Sequence, residues 1–292
     1  MITDQKTNIM HHQCLFCFAR QFEKLLDENV SCNDDRIRMA QRFFDMLANA
    51  DTDKPTPYIA RDFHALIREY LDDEDPYKKQ KEAGNKLALS LYPELQEKVK
   101  QAGDPFNRAL RYALAGNIMD YGPASSFDVH STLEKVEQAT FAIDHSRELQ
   151  EKISRADNIL YIGDNAGEIV MDRLFLETIA HPRVNFAVRG KPVINDATEE
   201  EARQAGIDQV ANIISNGYDA PSTVLEEASE EFMQAYLQAD LIIAKGQGNF
   251  EGLMHQNDHR LWFLLMVKCQ VIGDMLGVNK GNFVVSNGHN SA

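Results

Sequence analysis

The sequence predicts an α/β protein, a doubly wound and mostly parallel sheet preceded by an all-helical N-terminal domain. Two observations carry this. From about residue 10 to about residue 120 apolar residues recur at helical spacing, and beyond that the texture changes to short β-rich runs alternating with helical patterns. Composition agrees, since the 292 residues are 43% hydrophobic and 26% charged, enough for one large core or two smaller ones.

In the helical half, Phe18, Phe22 and Leu25, then Phe43, Phe44 and Leu47, then Phe63, Leu66, Ile67 and Tyr70 mark three apolar stripes. Asp104-Pro105 reads as a cap followed by proline at the first helical position, and Gly122-Pro123 closes the helix that follows. The expected helical domain spans residues 1–130, with a linker through Ser125, Ser126 and Asp128. A further helix, about Thr132 to Ser154, leads into an α/β domain over residues 131–292. Its strands are expected in I-L-Y-I-G, V-N-F-A-V-R-G, V-A-N-I-I-S-N-G, D-L-I-I-A-K-G and N-F-V-V-S. Near-continuous apolar strands separated by helices indicate a sheet covered on both faces. Such sheets place their chemistry at the carboxyl ends of the strands, near the switch in strand order.

Charge and cysteine content narrow the function. Lys and Arg total 30 against 45 Asp and Glu, a formal net charge of -15 that repels duplex nucleic acid and anionic membranes. Cys14, Cys17, Cys32 and Cys269 are too few for a disulfide framework, and the opening M-I-T-D-Q-K-T-N lacks a signal pattern, so a reducing, cytoplasmic setting is expected. The longest apolar run, Leu261 to Val267, falls short of the roughly 20 residues of a membrane-spanning helix.

Three strand ends carry the polar residues of interest. The first strand ends in Gly163-Asp164-Asn165. Asn165 with Glu168 three residues later fits a capping box, which leaves Asp164 unexplained. After the second strand come Arg189, Lys191, Asn195 and Asp196, and Asp196 either caps the acidic helix start A-T-E-E-E or faces a ligand. The fourth run ends K-G-Q-G-N-F-E, with Lys245 at the tip and Gly246 and Gly248 allowing close backbone approach to an anion. An ordinary glycine turn with a solvated lysine is the competing reading. Together, Asp164, Asn165 and Asp196 offer hard oxygen ligands for an octahedral Mg²⁺ or Mn²⁺, and Lys245 with neighbouring amides suits phosphate oxygens. In the helical half, Asn117 and Asp120 share a helix face, with Asp120 in a last turn where the dipole disfavours it.

G-D-N-A-G-E after one strand, R-G-K-P-V-I-N-D-A-T after the next, K-G-Q-G-N-F-E after a later one and A-G-N-I-M-D-Y-G in the helical half together resemble the metal-dependent damage-control phosphatases, and the N-terminal C-L-F-C resembles their prokaryotic branch. The resemblance covers most of the chain. It implies a helical domain on a Rossmann-like α/β domain, and hydrolysis of phosphate monoesters with Mn²⁺, Co²⁺, Ni²⁺ or Mg²⁺. Carried over by motif, Asp164, Asn165 and Asp196 match metal ligands and Lys245 a phosphate-contacting lysine, while Glu168, Asn117 and Asp120 match residues of the same cleft. Gly246, Gly248, Asn249 and Arg189 are expected on the phosphate side, and Asp164, Glu168 and Asp120 to take part in catalysis. The substrates implied are small phosphorylated metabolites, damaged or side-product sugar phosphates and phosphopantetheine-type compounds. The expected chemistry is in-line attack by an activated water, oriented or deprotonated by Glu168 or Asp120, with an aspartyl-phosphate on Asp164 as the rival route.

The remaining signals are weaker. His11, Cys14 and Cys17 fall on one helical stripe, but a single C-x-x-C does not close a tetrahedral zinc site, so structural thiols, a completed metal site and a redox pair all stand. His255 and His259, at an i, i+4 interval without an intervening glutamate, read as part of a solvated loop near the cleft mouth. Trp262, Phe263, Leu264 and Met266 read as core, and Glu199 to Glu201 and Asp72 to Asp75 as solvated surface. Two other functions fit the fold, an S-adenosylmethionine-dependent carboxyl methyltransferase and a non-catalytic sugar-phosphate or metal-binding module. Against a dinucleotide or S-adenosylmethionine site, neither glycine cluster has the G-x-G-x-x-G spacing.

Overall fold

The structure, a computed structural model, describes residues 10–116 and 129–288. The chain divides into two compact units, Met1–Glu74 and Asp75–Ala292. In the first, helices α1 (His12–Asn29), α2 (Asn33–Ala48) and α3 (Pro57–Leu71) enclose an aromatic core. Phe22 stacks on Phe43 with centroids 4.2 Å apart, and Phe63 meets both edge-on, as ring quadrupoles favour. These are residues of the three stripes read from the sequence. Cys14 and Cys17 lie near the start of α1 as half-buried thiols that are not joined in a disulfide.

The second unit begins with helices α4 (Lys78–Lys100), α5 (Pro105–Gly116) and α6 (Val129–Gln138). The Asp104 carboxylate accepts from the Asn107 amide at 2.9 Å, so this cap is where the sequence placed it. Next come β1 (Ile143–Asp144), α7 (Ser146–Arg155), β2 (Ile159–Ile162), α8 (Glu168–Ile179), β3 (Val184–Val188), α9 (Glu199–Gln204) and β4 (Asn212–Ser215). The chain closes with α10 (Glu230–Gln238), β5 (Leu241–Lys245), α11 (Gly246–Leu253), β6 (Leu261–Met266), α12 (Gln270–Leu276) and β7 (Phe283–Asn287). The boundary by compactness falls at Glu74, whereas sequence texture places it near residue 130, because α4 and α5 pack on α8 and share the core of the sheet. The helix expected from Thr132 to Ser154 is two helices, α6 and α7, separated by the short edge strand β1.

The seven strands run in the order β1-β7-β6-β5-β2-β3-β4, parallel except where β7 meets β6 antiparallel. Alternation along each strand builds two cores. Tyr161, Phe186, Ile243 and Trp262 face one side with α5 and α8, and Leu160, Ile162, Ile242 and Phe263 face the other with Phe232 of α10 and Phe250 of α11. The doubly wound sheet is thus as expected, with β1 and β6 added. The run Leu261 to Met266, read only as core, is a central strand. The chain proceeds outward from β2 to β4 and then returns to lay β5 on the other flank of β2, so the strand order switches between β2 and β5. A crevice at the carboxyl ends of those two strands follows from that switch. The loop with His255 and His259 precedes β6 and so lies at the opposite, amino edge of the sheet, not at the crevice mouth. Among the described residues no helix is long and apolar enough to cross a membrane.

Candidate active site

The tips of β2 and β3 are sewn together by backbone. Beyond β2, the Gly163 amide donates to Ala187 at 2.9 Å, and Ala197 N–H donates to the Asp164 carbonyl at 2.8 Å. Ala166 N–H reaches the Asn195 carbonyl at 2.8 Å, and an isolated antiparallel bridge pairs Asn165 with Asp196. Asp196, far along the chain from the consecutive pair Asp164 and Asn165, is therefore their neighbour. Neither capping reading survives. The N-cap of α8 is Gly167, with φ 81°, and that of α9 is Thr198, whose capping box closes with Glu201. The Asn165 amide instead donates to Asp164 Oδ2 at 3.0 Å and Glu168 Oε2 at 3.1 Å.

Arg189 lies between the carboxylates. Its Nε donates to Asp196 at 2.6 Å and its Nη2 to Asp164 at 3.3 Å, while Nη1 reaches Thr223 and Asn249. Arg189 is 1% exposed and spends its guanidinium on protein oxygens, which makes it a counter-charge to the aspartates rather than a phosphate contact. Burial, then the Asp196 and Glu168 charges, push Asp164 up to about 8 despite Arg189, and burial raises Asp196 as well. Among the described residues the cluster at these strand tips holds four buried carboxylates, Asp164, Glu168, Asp172 and Asp196, against two buried cations, Arg189 and Lys245, a formal excess of two negative charges. That deficit, with two carboxylates and a carboxamide on one backbone clasp, fits a divalent cation with a hard-oxygen donor set. No group of three or more His, Cys, Asp or Glu side chains arranged for an ion occurs among the described residues, so the donor set rests on Asn165 as much as on the aspartates.

Lys245 departs from its expected place. Its ammonium is fully buried and donates to Ala113 O at 2.9 Å, Glu168 Oε1 at 2.8 Å and Asp172 Oδ1 at 2.5 Å. All three N–H bonds are committed, so direct phosphate contact requires one to be exchanged. Burial works against the charge, but Asp172 and Glu168 outweigh it and hold the ammonium above its usual range. Asn249, also expected on the phosphate side, donates to the carbonyls of Gly163 and Lys245 and accepts from Arg189, tying three strand tips together. Gly246, with φ 79°, opens α11. Gly248 is needed for packing, since a Cβ there would fall 2.3 Å from the Pro221 carbonyl oxygen. Asn117 and Asp120 lie outside the described residues. The last described residue of their motif, Gly116, lies against Glu168, whose Cγ would be 2.8 Å from an added Cβ.

Three residues of the cluster escape sequence reasoning. Asp172 and Tyr161 share a hydrogen bond of 2.7 Å beneath Lys245. Lys268 follows the carboxyl end of β6, is exposed, and its charge acts on both Asp164 and Asp196. Its backbone N–H is held by the Gln247 side chain at 2.8 Å. Recognition of β6 as a strand would have pointed to Lys268 as a strand-tip cation.

A doubly wound sheet with a buried acidic cluster at its switch point defines the class, an α/β protein of the kind that binds ligands at the carboxyl ends of its strands. Comparison with known proteins narrows this. The model of the damage-control phosphatase ARMT1-like domain matches residues 10–284, and the chain belongs to that family. It is similar to the damage-control phosphatase PH1575 of Pyrococcus horikoshii, 35% identical over 94% of this chain and 96% of that one. A damage-control phosphatase of Archaeoglobus fulgidus is 32% identical over 88% of this chain and 90% of its own. Among solved structures, the crystal structure of a DUF89 family protein (PH1575) from Pyrococcus horikoshii superposes with a TM-score of 0.84 at 32% identity, covering 96% of this chain and 99% of that one.

Proposed function

We infer that the protein is a metal-dependent phosphomonoesterase acting on small phosphorylated metabolites, sugar phosphates or phosphopantetheine-like compounds among them, in a reducing cytoplasmic setting. The observation that carries the reading is the clasp that brings Asp164, Asn165 and Asp196 together within a cluster short of two positive charges. Mn²⁺, Co²⁺, Ni²⁺ or Mg²⁺ suits that set, and when bound it would supply Lewis-acid polarisation of a phosphoryl oxygen and acidify a water.

The chain's own residues account for the rest. Arg189 keeps the two aspartates ionisable within a buried site. Glu168, with one oxygen on Lys245 and the other on Asn165, is held beside the candidate cation ligands and is the base best placed to orient or deprotonate a water. Lys268, exposed at the rim and electrostatically linked to both aspartates, is the cation that meets an incoming phosphate. The test is hydrolysis of p-nitrophenyl phosphate in a panel of divalent metals with and without chelator, followed by a panel of sugar phosphates and phosphopantetheine. Metal-dependent turnover lost in Asp164→Ala and Asp196→Ala with the fold retained is expected. Chelator-insensitive or absent hydrolysis overturns the reading.

A further inference from the structure

Glu168 and Asp172 are four residues apart on α8 and so share one face of that helix, turned toward the tip of β5. Lys245 spans them. From the core outward the bonds run without a gap: Tyr161 hydroxyl to Asp172 Oδ1 at 2.7 Å, Lys245 Nζ to the same oxygen at 2.5 Å, Lys245 Nζ to Glu168 Oε1 at 2.8 Å, and Asn165 Nδ2 to Glu168 Oε2 at 3.1 Å. The Tyr161, Asp172, Glu168 and Lys245 side chains have no exposed surface.

Asp172 is loaded unevenly. Oδ1 accepts from two donors, while Oδ2 is buried without a hydrogen-bond partner. A carboxylate retained only for hydrogen bonding would not leave an oxygen bare in the interior, where an unmet acceptor is costly. What the second carboxylate adds is a fixed negative charge on the far side of the ammonium from Glu168. We propose that Asp172, oriented by the Tyr161 hydroxyl, is a positioning residue that seats Lys245 on Glu168 and thereby holds the second Glu168 oxygen at Asn165. Asp172 touches neither substrate nor cation. It acts through Lys245, and the role rests on the phosphatase reading only in so far as Glu168 serves a reaction there.

The test uses the full chain with Asp172→Asn, which keeps the shape and removes the charge, and Tyr161→Phe, which removes only the orienting hydroxyl. With fold retained by circular dichroism, kcat on p-nitrophenyl phosphate is expected to fall about thirtyfold to a hundredfold in Asp172→Asn and about threefold to tenfold in Tyr161→Phe, with KM and Mn²⁺ affinity within about twofold of the parent. Added to Glu168→Gln, Asp172→Asn should cost less than about twofold more, because both act through one side chain. A purely structural role predicts the reverse: lower melting temperature, unchanged kcat and full additivity, any of which in kcat overturns the proposal. A second readout is independent of turnover. The Lys245 ammonium resonance in ¹⁵N-lysine-labelled protein, assigned by its loss in Lys245→Met, should exchange slowly in the parent and broaden in both variants. If the parent hydrolyses nothing, the phosphatase reading fails while the resonance still decides the positioning role, and an unchanged signal in both variants overturns it.

Discussion

Cation binding should expel a proton, and the amount follows from the cluster. Burial and the neighbouring Asp196 and Glu168 charges push Asp164 up to about 8, so the cation-free site keeps a proton at neutral pH. A divalent ion among these oxygens favours the charged carboxylate, so that proton must leave on binding. With a midpoint near 8, about 0.9 of the sites are protonated at pH 7 and about 0.1 at pH 9, the proton belonging to the Asp164–Asp196 pair rather than to one member. Mn²⁺ titration calorimetry in two buffers of different ionisation enthalpy measures the release directly. The expected values are about 0.9 proton per ion at pH 7 and about 0.1 at pH 9, with apparent affinity rising roughly tenfold between them. Release below about 0.2 at pH 7, or independent of pH, would show that Arg189 alone neutralises the pair and that the cluster has no charge deficit for a cation to fill.

Three further outcomes are expected. Arg189→Met leaves two buried aspartates without their counter-charge, so cation-free protein at pH 9 should lose about 3–5 kcal/mol in urea unfolding, part of it restored by Mn²⁺, and a loss under about 1 kcal/mol contradicts the assignment. Gly116→Ala would place a Cβ 3.0 Å from the Glu168 Cα, so stability should drop by about 1–3 kcal/mol and kcat by about tenfold or more, whereas parental kinetics would show that α5 does not brace Glu168. Burial, with Arg68 adding to it, pushes His64 down to about 3, so the unfolded chain takes up a proton there that the folded one refuses as pH falls below about 6.5. The stability this gives is full above that pH and declines toward pH 3, by about 2 kcal/mol at pH 5, which amide exchange over α1 to α3 should show and His64→Leu should remove.

Periodicity made the helices and five strands legible, and the strand-tip rule found the aspartates, because both follow from local pattern. β6 escaped because an unbroken apolar run such as L-W-F-L-L-M has no period to separate a central strand from a buried helix. Lys268 escaped with it. The division by compactness departs from the change in sequence texture for a related reason: the apolar stripes of α4 and α5 announce a buried face without saying that α8 covers it. Asp172 sits in E-I-V-M-D-R-L-F-L-E, where a charged residue reads as the wet side of a helix, and only the fold shows that side facing Lys245. Asn165 and Glu168 have the spacing of a cap, yet the chain reverses at Gly167 and frees Asn165 for Asp164 and Glu168.

The reversed direction of β7 has a practical side. Because it runs against β6, its last residue, Asn287, returns to the floor of the sheet beside Trp262, and its side chain anchors on the His259 carbonyl. Affinity handles or fluorescent reporters joined after that point would therefore hang from the pole of the sheet remote from Asp164, and surface immobilisation through them would keep the support away from the carboxyl ends of β2 and β5.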